Sequence, residues 1–317
     1  MIKKVTRADV AKRAGVSQTI VSYALNDNRY VEKSKKEAVL KAAKELGYTP
    51  SPLSRALKGK GSGHYLFIAD DLMSEHFAII TGEMENLAKD RGMCISLCSD
   101  RNDTSLFSWH FDGLIIASAL MSEERINEYI KLGFPTVILA MKDYKTLEGS
   151  YGLVNSGLEK GSFDAVSLLL EKGREDILFI PSLNMDSFEN DFRFIGYEKA
   201  MDEHGKKVHV LKSAKSEKEL HTLIEQEAFD AAFARTDSTA AVAMQAIKEM
   251  GKKIPEDVAV IGVNNTSLSR FLYPTLSTIN IDRKAIAESI LSLFERLKTE
   301  SNPSITLTTN LLIRGSI

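Results

Sequence analysis

The chain has 317 residues, 44% of them hydrophobic, with 41 Lys and Arg against 43 Asp and Glu. That length allows two domains, or one domain with a small module. No stretch approaches the roughly 18 uninterrupted apolar residues of a membrane span, and the start, MIKKVTRADV, lacks the apolar run of a signal peptide, so a cytoplasmic protein is expected. The near-neutral total hides a split. Residues 1–60 carry 14 basic and 5 acidic residues, a net of +9, whereas the remaining 27 basic and 38 acidic residues give −11. A basic head on an acidic body is the footprint of a protein in which only the head meets phosphate.

Thr6–Asn26, TRADVAKRAGVSQTIVSYALN, reads as two short helices joined by a tight turn. Thr6 caps the first, with Asp9 in a capping-box position. Val10, Ala11 and Ala14 form its apolar stripe, and the small Ala11 lets a second helix approach. Gly15 supplies the left-handed turn residue, and Ser17 caps the next helix. At about 100° per residue, Gln18, Thr19, Ser22, Tyr23 and Asn26 share one arc of that helix. Ile20, Val21, Ala24 and Leu25 share the opposite one. A helix docked by its apolar side can read a DNA groove with the other.

Val31–Gly47 completes a three-helix head, with Val39, Leu40, Ala43 and Leu46 at helical spacing and Gly47 as the stop. Further on, Ser51 caps a short helix and Pro52 suits its first turn. GKGSG at 59–63 is a flexible joint. It precedes a strand rather than following one, which makes it a poor phosphate loop.

From Tyr65 onward, short apolar runs alternate with helical segments. Strands are expected at 65–69, 94–98, 111–117, 136–140, 177–180, 208–211, 231–234 and 258–263. Helices are expected at 77–91, 123–132, 157–172, 193–204, 217–228, 237–250 and 283–299. This alternation implies parallel sheets buried on both faces, arranged as two α/β lobes with a cleft between them. Cys94 and Cys98 fall in one expected strand, roughly 13 Å apart, too far for a disulfide; they read as two buried thiols. His64, His76, His110, His204, His209 and His221 show no metal-ligand spacing, and neither GxSxG nor a phosphate loop occurs. Asp191 beside Arg193 reads as a cleft or surface pair rather than an acid catalyst. No enzyme, cofactor or metal site is therefore expected.

The whole chain resembles the LacI/GalR family of bacterial transcription regulators. The resemblance rests on DVAKRAGVSQTIVSYALN, ELGYTPSPLSRALK, DGLII, RFIGYEKAM, IPEDVAVIGVNN, PTLSTI and LLIRGS, in that order. It implies an α/β protein with a helix-turn-helix head (1–49), a hinge helix and linker (50–62) and a two-lobed core like type I periplasmic binding proteins (63–317). The lobes are expected near 63–154 with 280–303 and 155–279 with 304–317. It also implies a homodimer on palindromic operator DNA, controlled by a small effector in the cleft.

Carried over by position, Gln18, Thr19 and Tyr23 contact bases, while Thr6, Ser17, Ser22 and Asn26 hold phosphates. Tyr23 replaces the Arg or His common there and cannot grip guanine bidentately. Leu57 matches the residue that wedges into the minor groove, flanked by Leu53, Arg55 and Lys58 of the hinge. Leu53 and Ser54 replace smaller or more apolar residues. For the effector, the resemblance points to Phe77, Ser118, Arg193, Thr236, Asp237 and Asn264. Arg193 matches the ligand-binding arginine, but Ala140, Thr236 and Asn264 stand where the family has Asp, Asn and Asp. An arginine left without those carboxylates suits a sugar phosphate or carboxylate; a neutral sugar bound through Asn264 is the alternative. Ser99–Phe111 is short for the family, and no heptad extension follows LIRGSI, so a tetramer through a C-terminal coiled coil is not expected. A catabolite-control regulator using a protein corepressor is an alternative within the family. A sugar-binding transport protein fits the body but not the basic head.

Overall fold

The computed structural model describes residues 5–26, 29–48, 61–99 and 111–317. The expected hinge helix, with Leu53, Arg55, Leu57 and Lys58, lies outside the described residues, as does most of Ser99–Phe111. The chain divides into two compact units, 1–63 and 64–317. Among the described residues no helix is long and apolar enough to cross a membrane.

The first unit holds α1 (Arg7–Ala14), α2 (Gln18–Asn26) and α3 (Lys33–Leu46). Thr6 and Asp9 form a reciprocal capping box, and α1 ends on Gly15 at φ 66°. A side chain there would be strained, which is why glycine ends this helix. Gly47, at φ 62°, ends α3 in the same way. Val10, Val21 and Val39 meet at the centre, with Ala11, Ala24, Ala42 and Ala43 around them. The expected inward position of Leu40 is corrected: it is 48% exposed. One residue beyond Val39, it lies about 100° round the helix from the core-facing row.

The second unit contains two six-stranded sheets. The first runs β11 (Ser304–Thr306), β5 (Gly152–Asn155), β4 (Thr136–Ala140), β3 (Gly113–Ala117), β1 (His64–Ala69), β2 (Cys94–Cys98). The second runs β12 (Asn310–Leu312), β10 (Ser277–Asn280), β9 (Ala259–Val263), β8 (Ala231–Ala234), β6 (Ile177–Ile180), β7 (His209–Val210). All pairings are parallel except β12 with β10. Strands β3, β4, β6, β8 and β9 are buried along their whole length, as strands covered by helices on both faces must be. Helices α4 (Glu75–Leu87), α5 (Glu123–Lys131) and α11 (Arg283–Arg296) belong with the first sheet. Helices α6 (Leu158–Glu171), α7 (Phe192–Glu203), α8 (Glu217–Glu225) and α9 (Asp237–Glu249) belong with the second, and the short α10 (Leu268–Phe271) follows β9.

Several expectations need correction. Strands β5, β10, β11 and β12 were not expected. They are three or four residues long and partly polar, so only their partners make them strands. Cys94 is exposed and Cys98 only partly covered, because β2 is the edge strand of its sheet. The expected boundary at 303/304 shifts, since Ser304–Thr306 pairs with Leu153–Asn155 in the first sheet and the chain crosses only afterwards.

Helices α6 and α7 approach closely enough that a Cβ on Gly196 would overlap the Glu159 carbonyl and lie 2.8 Å from the Ser162 Cβ. Gly196→Ala should therefore cost about 1–3 kcal/mol by overpacking and lower the thermal midpoint by several degrees. An unchanged midpoint in calorimetry would show that the helices separate freely.

Candidate DNA-reading face and effector cleft

In the head, α2 sorts its side chains as its sequence requires. Val21 and Ala24 are buried against α1 and α3, with Ile20 and Leu25 half-buried beside them. Ser17, Gln18 and Thr19 are exposed, and Ser22 and Tyr23 are half-buried. The Ser17 hydroxyl accepts the Ile20 amide at 3.3 Å and so caps α2. Thr6 is a working cap: its hydroxyl donates to Asp9 at 2.6 Å. The side chain of Asn26 lies outside the described part. The head's carboxylates are largely occupied: Asp9 by Thr6, Glu45 by Arg13 at 2.7 Å, and Glu32 by Lys35 at 3.0 Å.

In the core, the two sheets aim the carboxyl ends of their strands at one cavity of about 730 Å3. Asp70 follows β1; Ser182, Arg235 and Asn264 follow β6, β8 and β9. Strand ends of this kind are where α/β folds place ligands. Phe77, Arg193, Thr236, Asp237 and Asn264, all expected at the effector site, line this cavity. Ser118 is not on the wall: it is buried one layer behind and donates its hydroxyl to Asp70, which does line the cavity. Thr236 is the N-cap of α9. Asp237 accepts from the Thr278 hydroxyl at 2.6 Å and the Thr266 amide at 2.6 Å; burial raises its pKa against those hydrogen bonds.

Arg235 and Ser182, which sequence reasoning missed, change the chemistry of the wall. Arg193 is 1% exposed and is not left without a carboxylate, contrary to expectation: its Nη1 lies 3.3 Å from Asp191. Asp191 caps α7, accepting the Arg193 amide at 2.9 Å, and also holds Arg235, whose Nε donates to it at 2.9 Å. The second Arg235 arm reaches the Ser182 hydroxyl at 3.0 Å. Burial alone would raise the Asp191 carboxyl, but Arg235, Arg193 and the Arg193 amide overcome this and hold it below the usual range. Burial pushes Arg193 down to about 10. His76, fully covered, is pushed down to about 3 by burial, with Arg283 and Arg193 adding to the shift, so it is neutral at pH 7. Nothing in the sequence marks Arg235 as buried, because arginine usually is not.

Four buried polar atoms of cavity-lining residues have no hydrogen-bond partner among the described residues: His76 Nδ1, Arg193 Nε, Asn264 Oδ1 and Arg235 Nη2, the last of which still lies 2.8 Å from Asp191 as an ion pair. Asn264 sits at φ 103° and Asn265 at φ 46°. Non-glycine residues in this region are strained and persist only when their surroundings hold them. Arg283 donates to the Asn264 carbonyl, and Arg314 donates to the Asn265 side chain at 2.7 Å. The lobes also touch across the cavity: the Ser267 amide donates to both Glu75 oxygens at 3.0 Å. Among the described residues, His221, Glu225 and Glu249 come near enough to share a metal ion. Both ring nitrogens already face carboxylates, at 3.6 and 3.1 Å, as in an ion-paired histidine.

A family model described as bacterial regulatory proteins, lacI family, matches residues 6–51, and a periplasmic binding protein-like domain matches 166–317. The transcriptional regulator RegA of Clostridium saccharobutylicum is 30% identical over 329 residues, covering 97% of this chain and 98% of the relative. The chain belongs to the LacI family. The transcriptional repressor PurR of Histophilus somni (strain 129Pt) is 29% identical over 331 residues, covering 98% of each chain. In fold, this LacI-family member matches a lac repressor dimer solved with operator and the anti-inducer ONPF, with a TM-score of 0.81, 23% identity and 99% coverage of both chains. It also matches a CelR–cellobiose complex, with a TM-score of 0.68, 22% identity, and 99% and 100% coverage. The protein is thus a DNA-binding transcription regulator with an effector-binding domain, not an enzyme.

Two of the buried titratable groups, His76 and Asp191, act in separate pH windows. Between pH 6.5 and 5 the unfolded chain protonates residue 76 while the folded protein does not, so stability falls with pH by about 1.4 kcal/mol per unit. His76→Phe should flatten the urea midpoint over that window; parallel curves would contradict the assignment. Asp191, held low, contributes fully above about pH 4 and loses its contribution below. Asp191→Asn leaves two buried guanidiniums without their counter-charge and should cost about 3–5 kcal/mol at pH 7, read by chemical unfolding.

Proposed function

We propose that the protein is a dimeric transcriptional repressor that binds a palindromic operator through α2 and senses a neutral, hydroxyl-rich small molecule in the cleft. The observation that carries the first half is the two-faced α2: its apolar face is fixed in the head core and its uncharged hydrogen-bonding face is left outward. Gln18, Thr19 and Tyr23 are assigned to bases, and Thr6, Ser17, Ser22 and Asn26 to phosphates. Leu53, Arg55, Leu57 and Lys58 are assigned to the minor groove from the sequence. A second copy of the chain is favoured by an apolar tract at the end of α10. Phe271 and Tyr273 there are 84% and 85% exposed, more than an unpartnered surface usually tolerates for adjacent aromatics.

The charge of the wall supports this effector class. Asp70, Asp71, Glu75, Glu217 and Asp237 line the cavity against Arg193 and Arg235 alone, and both guanidiniums lean on Asp191 behind them. An anion would enter an acidic cleft whose cations are already engaged. A polyol can instead accept from Arg193 Nε and donate to Asn264 Oδ1, filling both unmet bonds. The relative solved with cellobiose takes a neutral sugar of this kind.

Selection of bound fragments from a random DNA pool tests the regulator reading. Enrichment of a palindrome is expected, with addition of ribose, glucose or cellobiose shifting its binding midpoint by roughly 5- to 150-fold for the cognate sugar. A pool with no enriched sequence would refute DNA reading. An asymmetric motif bound by a monomer would refute the dimer.

A further inference from the structure

The outward arc of α2 contains glutamine, threonine, serine, tyrosine and asparagine but no cation. A guanidinium nevertheless lies on that arc. Arg29, just past the end of α2, places its Cζ 5.4 Å from the centroid of the Tyr23 ring. That is within cation–π range. Arg29 is exposed and makes no hydrogen bond or ion pair to another described residue; Asp9, Glu32 and Glu45 are engaged elsewhere. Tyr23, half-buried and with only two side-chain torsions, is a stiffer support than solvent.

Building on the DNA-reading assignment above, we infer that Arg29, laid across Tyr23, is a base-reading residue of this head and grips a guanine in each half-site. A cation–π contact uses none of the five guanidinium N–H donors. Those donors match the O6 and N7 acceptors that guanine presents in the major groove. The phenol of Tyr23 offers one hydrogen-bonding group and cannot make that bidentate contact. In this arrangement the ring serves as the platform and the arginine as the reader. Lysine would keep the charge but lose the fork.

The test compares DNA selected from a random pool by wild type, Arg29→Lys, Arg29→Ala, Tyr23→Phe and Tyr23→Ala, with circular dichroism confirming that each head is folded. Wild type should require a G·C pair at one position per half-site. Arg29→Lys and Arg29→Ala should relax that position by roughly 5- to 150-fold while the others hold. Tyr23→Phe, which keeps the ring, should retain the preference, and Tyr23→Ala should lose it. If both Arg29 variants weaken all sequences equally and reduce the salt slope by about one, Arg29 is a phosphate contact and the inference fails. It also fails if Arg29→Ala leaves the motif unchanged. A wild-type pool without enrichment would instead overturn the regulator reading itself, and this assignment with it.

Discussion

A carboxylate with no exposed surface has to gather positive charge around it, and Asp191 organises the cleft by doing so. It caps α7, engages Arg193 from that helix, and reaches across to Arg235 at the end of β8. Removing two charges from water costs several kcal/mol each, and the mutual attraction offsets this only when the geometry is good. Here the pairing fixes α7 relative to the end of β8. It also brings the other lobe close: the Asp143 amide donates to the Asn190 carbonyl at 2.9 Å, one residue before Asp191.

The consequence for recognition is indirect but strong. Arg193 has an unmet Nε while its Nη1 pairs from behind with Asp191, the carboxylate it shares with Arg235. His76, neutral through burial, and Asn264, held at a strained φ by Arg283, supply further unmet groups. On the proposed reading, a wall of unmet donors and acceptors among surplus carboxylates suits hydroxyls better than phosphate. The strain at Asn264 is maintained from α11, a helix packed on the opposite lobe, so a change in lobe geometry moves a residue of the proposed effector site.

Much of this was legible in the sequence. The capping box, Gly15, and the two arcs of α2 are local effects, set by neighbours within a few residues. The long apolar strands and their helices follow from period and length. What escaped depends on distant partners. Strand β11 pairs with Leu153–Asn155 some 150 residues earlier, and its own sequence, SIT, specifies nothing. The residues assigned to the effector could be proposed by resemblance, and Asp191 beside Arg193 already reads as a pair, but the sequence does not show that the same carboxylate also holds Arg235. Arg235 is invisible because burial of an arginine is a tertiary fact, and Arg29 because a ring six residues earlier holds it.

The most direct measurement of the central claim is a competition followed by native mass spectrometry. The protein is equilibrated with equal concentrations of neutral sugars and their phosphate esters, and the retained species is weighed. A cleft whose arginines are balanced by Asp191 should retain an uncharged sugar. Retention of a phosphate ester in preference to its neutral parent would contradict it.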